Sequence, residues 1–154
     1  MRQIDVLLDQ YSSDHRNETN QAIHLVCVPA IAWSVTALLW AVPVPGTLLK
    51  PGAISALAMF LAWAYYWRLS RNLAMGAFVC FLACVLLNRW IANTFGMKTL
   101  VVIAVSVFVV AWIGQFIGHK VEGRRPSFFT DVMFLLIGPL WTLRKLYQRL
   151  DIAY

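Results

Sequence analysis

The chain has three histidines, and two of them fall in one short stretch, "HRNETNQAIHLVCVP", where His15 and His24 lead a polar run into a long apolar one. The third, His119, closes the apolar segment that ends "WIGQFIGHKVEGRRPS". Three neutral imidazoles leave a divalent ion with its full charge and with open positions, as in catalytic zinc and mononuclear non-haem iron sites. On one continuous helix a nine-residue separation would set His15 and His24 on opposite faces, so convergence requires a break between them. "SSDHRNETN" supplies one, being rich in residues that cap helices and form turns. Asn20 lies one turn before His24 and Gln115 one turn before His119, so each of these imidazoles has an amide on its own face. A histidine at a membrane edge is also an ordinary interfacial residue. From spacing alone a metal site and interfacial polarity both stay open.

The elements that must position these residues are membrane helices. Of the 154 residues 60% are hydrophobic and 13% charged, far more apolar than one soluble core requires. The net charge of +6 is spread singly or in pairs between apolar runs, which fits membrane-flank anchors and argues against a nucleic-acid surface. Cys27, Cys80 and Cys84 all lie in apolar runs and read as small hydrophobes. The acidic, interrupted first twenty residues give no cleavable signal, so the first crossing is expected to direct insertion.

The expected architecture is all-α: a single integral-membrane domain over residues 1–154, with four crossings in a helical bundle. Ile4, Leu7, Leu8 and Tyr11 repeat at helical spacing and predict an amphipathic helix on the membrane surface. The crossings are expected at Ala22–Ala41, with Pro29 inside it, then Ala53–Trp67, Leu73–Leu87 and Thr99–Gly118, with "NRWIANTFGMK" as the loop between the last two. Phe128–Trp141 is apolar over a length that suits either a short crossing or a re-entrant or interfacial helix. With four crossings, Arg2, Arg16, Arg68, Arg71, Lys120, Arg124 and Arg125 share one side, against Lys50, Arg89 and Lys98 on the other. That bias places the N-terminus in the cytoplasm of a bacterial inner membrane or an endoplasmic reticulum. An even number of crossings brings all three imidazoles to that same face.

The two histidine blocks, in this order, together with the later "LIGPL" (Leu136–Leu140), resemble the family of small membrane proteins that includes the yeast 2-hydroxy-fatty-acid dioxygenase of phytosphingosine breakdown. The resemblance runs from about Tyr11 to Leu143; Glu18, Thr19 and Ser127 depart from the family's usual residues in loops. It implies an Fe(II)-dependent dioxygenase, an oxidoreductase of lipid metabolism performing fatty acid alpha-oxidation. A 2-hydroxy fatty acid and O2 would give the acid one carbon shorter and CO2. His15, His24 and His119 would be the iron ligands. Arg16, Asn20, Gln115 and Arg124 are expected at the substrate, with Asn17 and Glu122 orienting the ligands from behind. The acyl tail would run between the crossings against Trp33, Phe60, Phe81 and Phe116. A zinc lipid hydrolase using the same imidazoles and a non-enzymatic membrane scaffold are the competing readings, and a b-type haem held by His24 and His119 fits less well.

Overall fold

The computed structural model describes residues 2–46, 49–123 and 133–154. Six helices and no strand occur among the described residues: α1 (Gln3–Ser13), α2 (Glu18–Trp40), α3 (Ala53–Leu69), α4 (Arg71–Phe95), α5 (Met97–Glu122) and α6 (Met133–Arg149). The all-α expectation holds. α2, α4 and α5 are each long and apolar enough to cross a membrane.

Local chemistry sets the boundaries. The Asn17 side chain caps α2, accepting from the Thr19 and Asn20 amides at 2.9 and 3.3 Å. α2 then runs unbroken through Pro29 to Trp40. Ser70 ends α3 and caps α4, its hydroxyl accepting from the Leu73 amide. Only Gly96 separates α4 from α5, with a φ of 88° that residues bearing a Cβ rarely adopt.

One expectation is corrected here. The third segment does not stop at Leu87, since α4 continues to Phe95 and the supposed loop "NRWIANTFGMK" is helical on both sides of Gly96. Of the polar residues that suggested a loop, Asn88 is absorbed by the bundle, fully buried and donating to Thr36 Oγ1 at 3.3 Å, while Arg89 and Asn93 stay exposed on the helix. Of the last apolar stretch, whose first residues lie outside the described ones, residues 133–141 belong to a helix reaching Arg149. That helix packs on α1, with Trp141 Nε1 donating to Ser12 Oγ at 3.0 Å and Arg144 paired with Asp9 at 2.7 Å. α6 is therefore a partner of the amphipathic N-terminal helix, with Ile4, Leu8, Ile137, Leu140 and Trp141 sealed between them.

α3 lies antiparallel to α2. Ser55 near its start donates to the Thr36 carbonyl at 2.8 Å, while Tyr66 near its end shares a core cluster with Leu25. The bundle thus has two packed ends. One gathers α1, α6, the end of α3 and the start of α4; the other joins Ala37, Ile91, Leu100 and Ala104 of α2, α4 and α5. Between hydrocarbon-facing helices such packing rests on van der Waals fit and interhelical hydrogen bonds, because lipid tails are as apolar as leucine.

Candidate metal centre

The three histidines converge at the end of the bundle that α1 and α6 cover. Ring centroids are 4.3 Å apart for His15 and His24, 5.1 Å for His15 and His119, and 4.9 Å for His24 and His119. One nitrogen from each ring lies within 4.8 Å of the other two, so the trio could hold a metal ion. All are buried, at 1%, 1% and 4% exposure.

Each ring is aimed by the chain around it. His15 stands on the turn between α1 and α2, and its Nδ1 lies 2.7 Å from the Tyr11 carbonyl; His24 Nδ1 lies 3.0 Å from the Asn20 carbonyl. A carbonyl only accepts, so Nδ1 carries the proton in both rings and Nε2 keeps its lone pair. The Tyr11 ring stacks on His15 at 4.3 Å, 10° from coplanar. His15 Nε2 and His119 Nδ1 are buried and meet no hydrogen-bond partner among the described residues. Buried nitrogens of this kind normally find a partner. Lone pairs left facing one another are what a divalent ion would satisfy, and the carbonyls behind the rings are the usual means of fixing ligand tautomer. Burial also pushes the His15 imidazole below its ordinary pKa, against the opposing pull of the Tyr11 carbonyl. A ring so placed stays neutral at pH 7, as a metal ligand must.

Glu122 joins the pieces. Its carboxylate accepts from the Arg16 amide at 2.9 Å, from the Asn17 amide at 3.0 Å and from Asn20 Nδ2 at 2.9 Å. The end of α5 is thereby bound to the turn bearing His15 and to the helix bearing His24. Glu122, expected behind the ligands, holds the backbone on which the imidazoles stand. Asn17 likewise acts as the α2 cap. Asn20 offers its carbonyl to His24 and its amide to Glu122, and Gln115 is buried beside His24. Arg16 is exposed next to the site, joined to it through its backbone, and Arg124 lies outside the described residues.

From the imidazoles a cavity of about 440 Å³ opens into the bundle between α2, α3 and α5, with α6 against its histidine end. Besides the histidines its polar lining is limited to Tyr11, Thr36, Tyr66, Trp112 and Gln115, and no lysine, arginine or carboxylate lines it among the described residues. Of the expected tail contacts, Phe81 does line it. Phe60 and Phe116 face outward at 59% and 49% exposure, and Trp33 packs into the opposite end of the bundle. Helices apolar on every side carry no periodic signal to say which face turns inward.

Sequence reasoning also missed Tyr11 as a support for His15, although the i, i+4 spacing was visible. It missed the close approach of α2 and α5 as well. A Cβ on Gly114 would sit 2.7 Å from Cys27 Sγ, and one on Gly118 would strike Asn20 Oδ1. These glycines form the G-x-x-x-G pattern that lets membrane helices touch backbone to backbone, and it stands in "WIGQFIGH".

No solved structure matches the chain. A curated relative does: the 2-hydroxy-palmitic acid dioxygenase MPO1 of Saccharomyces cerevisiae is 27% identical over 135 residues, covering 86% of this chain and 73% of the relative. The family model described as 2-hydroxy-palmitic acid dioxygenase Mpo1-like matches residues 1–150, a span that includes all three imidazoles, their clasp and both helices that carry them. The chain therefore belongs to the Mpo1-like family.

Proposed function

We propose that this protein is an Fe(II)-dependent dioxygenase that converts a 2-hydroxy fatty acid and O2 into the fatty acid one carbon shorter, CO2 and water. The reaction balances without an external reductant: cleaving the C1–C2 bond and oxidising C2 to a carboxylate release the four electrons that O2 accepts. The observation that carries this reading is the convergence of three buried imidazoles, one nitrogen of each within 4.8 Å of the other two, at one end of an apolar cavity. Family membership supplies the link to 2-hydroxy acids.

His15, His24 and His119 would hold the metal through neutral nitrogens. When bound, Fe(II) supplies Lewis acidity toward an α-hydroxy carboxylate and one-electron access to O2. The residues do the rest. A chelating anion is favoured because three neutral imidazoles leave the ion's charge uncompensated, and among the described residues the cavity offers no cation that would compete for the carboxylate. Gln115 and Asn20 are the amides nearest the imidazoles; we assign Gln115, which lines the cavity, to the 2-hydroxyl. Arg16 and Arg124 would attract the acid to the rim from the aqueous side. A plain fatty acid lacks the second oxygen and leaves these groups unpaired, which is how the site would discriminate.

For the membrane arrangement we infer that α3 makes the fourth crossing, returning the chain from the Gly52 end to the Ser70 end beside α2. The bias of basic residues then supports an N-terminus and histidine cluster at the cytoplasmic face, with entry of substrate from the bilayer. Three imidazoles suit Zn(II) equally as a donor set, and a zinc hydrolase would act without oxygen.

The test is anaerobic purification, metal analysis, and incubation of the Fe(II)-loaded protein with 2-hydroxypalmitate and O2. Pentadecanoate and CO2 are expected, and each His→Ala variant should lose both the metal and the product. Full turnover in His119→Ala, or turnover independent of O2, would overturn the assignment.

A further inference from the structure

The three imidazoles are buried, so a substrate reaches them only where the cavity wall opens. At the histidine end the wall is closed: Tyr11, Val28 and Phe134 are buried around the rings, and Tyr11 and Trp141 lie 4.3 and 5.8 Å from His15. Farther along it is not. Of the described residues that line the cavity, three are exposed: Val35 on α2 at 40%, and Leu135 and Leu136 on α6 at 47% and 39%. All three are aliphatic, so the rim has no side chain that would hold water, and an exposed apolar edge continuous with a cavity suits contact with hydrocarbon.

The opening also has a direction. α2 and α6 close on each other where Gly138 meets Val28, since a Cβ on this glycine would sit 3.3 Å from Val28 Cγ1. Leu135 and Leu136 lie within about one turn of that contact on α6, and Val35 about two turns beyond it on α2. Tyr66 Oη donates to the Leu136 carbonyl at 2.8 Å and fixes the α6 side of the rim. Val35 lies about 16 Å along α2 from His24 at 1.5 Å per residue. With the imidazoles at the membrane rim, as proposed above, that distance reaches the middle of a hydrocarbon core of ~30 Å. The opening is thus a slot that runs with the acyl chains of one leaflet.

We propose that this slot is the substrate's portal: a 2-hydroxy acid slides in sideways from the leaflet, its carboxyl end passing Leu135 and Leu136 to the imidazoles while its tail lies along the slot past Val35. The inference rests on the lipid-acid substrate and bilayer entry proposed above, and it adds the route and the residues that frame it. The lining argues for this occupant. Among the described residues it has no lysine, arginine or carboxylate, so a charged partner finds nothing to pair with, whereas an acyl tail trades one apolar surrounding for another. Approach from water is the costlier path, because every methylene would first lose its burial in lipid.

The experiment uses the full chain in phosphatidylcholine vesicles, loaded with Zn(II) so that oxygen chemistry does not consume the probe. The probe is 2-hydroxypalmitate with a diazirine in mid-chain, and after irradiation its adducts are mapped by mass spectrometry. Adducts are expected at Val35 and at Leu135 or Leu136, and unlabelled 2-hydroxypalmitate at about ten times its Kd should reduce them about tenfold. Val110, exposed on α5 and outside the cavity, reports chance encounters with lipid, and its labelling should persist. Leu135→Trp and Val35→Trp then narrow the slot from its two sides. In the Fe(II) turnover assay each should raise KM several-fold for vesicle-borne substrate with kcat held, while Val110→Trp changes neither. Competed labelling confined to buried wall residues such as Met59, or a KM unmoved in both rim variants, overturns the portal. Rim labelling that competes as expected, without turnover of any 2-hydroxy acid, would uphold the portal and sink the dioxygenase reading.

Discussion

Glu122 does at the histidine cluster what no imidazole could do for itself, because it fixes the distance between chain segments more than a hundred residues apart. Its two oxygens accept from two backbone amides and one side-chain amide, all in the segment Arg16–Asn20. Glu122→Gln keeps the size but replaces one acceptor by a donor facing those N–H groups. The helices should survive, while metal affinity falls by about 10- to 100-fold, the usual cost of losing a group behind the ligands. Competition with a chromophoric chelator measures the affinity and circular dichroism the helices; unchanged affinity would show the clasp to be dispensable. Tyr11 offers a milder case. Tyr11→Leu keeps the carbonyl that holds His15 Nδ1 but loses the stacked ring, worth about 0.5–1.5 kcal/mol. Metal should bind up to about tenfold more weakly by the same titration, and Tyr11→Phe should bind as wild type. The histidines were legible from their type and their place at segment ends. Glu122 was legible as a polar neighbour, but its role was not, since bonds to backbone amides leave no mark on which residue types sit opposite.

At the scale of elements, the contact of α2 with α5 decides the site, because His24 and His119 belong to these two helices. Gly114 and Gly118 allow the backbones to approach until Cys27 and Asn20 fill the space above the glycines. Gly114→Ala places a methyl group 2.7 Å from Cys27 Sγ, so the helices must part or the cysteine must turn. Overpacking of this kind costs about 1–3 kcal/mol. The expected outcome is a lower thermal midpoint in detergent and weaker metal binding, with both restored largely by adding Cys27→Ala, which removes the obstructing sulfur. An additive double variant would refute the contact. Helix existence was readable from apolar length, the break at "SSDHRNETN" from its capping and turn residues, and α1 from the spacing of its apolar residues. The end of α4 was not, because Asn88, Arg89 and Asn93 have the composition of a loop. What keeps them helical is a buried partner on α2 for Asn88, and Gly96 as the first residue that permits the turn.

For the molecule as a whole, the histidine cluster sits where it does because of chain direction. α2 leaves the covered end of the bundle, α3 returns to it, and α4 and α5 repeat the excursion, so that His119 arrives beside residues from the chain's first two dozen. The seven-to-three bias of basic residues read from the sequence favours the same arrangement, yet it rests on α3, whose 17 residues span only about 25 Å of rise. If α3 crosses, Lys50 and Lys98 emerge on one face of the membrane, with Gln10 and Arg71 on the other. Each of the four is exposed, so each can be replaced by cysteine in a background where Cys27, Cys80 and Cys84 are alanine. Labelling with an impermeant maleimide in sealed vesicles of known orientation should then modify Gln10→Cys and Arg71→Cys from the cytoplasmic side alone, and Lys50→Cys and Lys98→Cys from the opposite side alone. Were Lys50→Cys and Arg71→Cys to react from the same side, α3 would be a re-entrant segment. His15 and His119 could then still meet, but only if another helix supplied the missing passage, because parity admits no other route from the first crossing back to the rim.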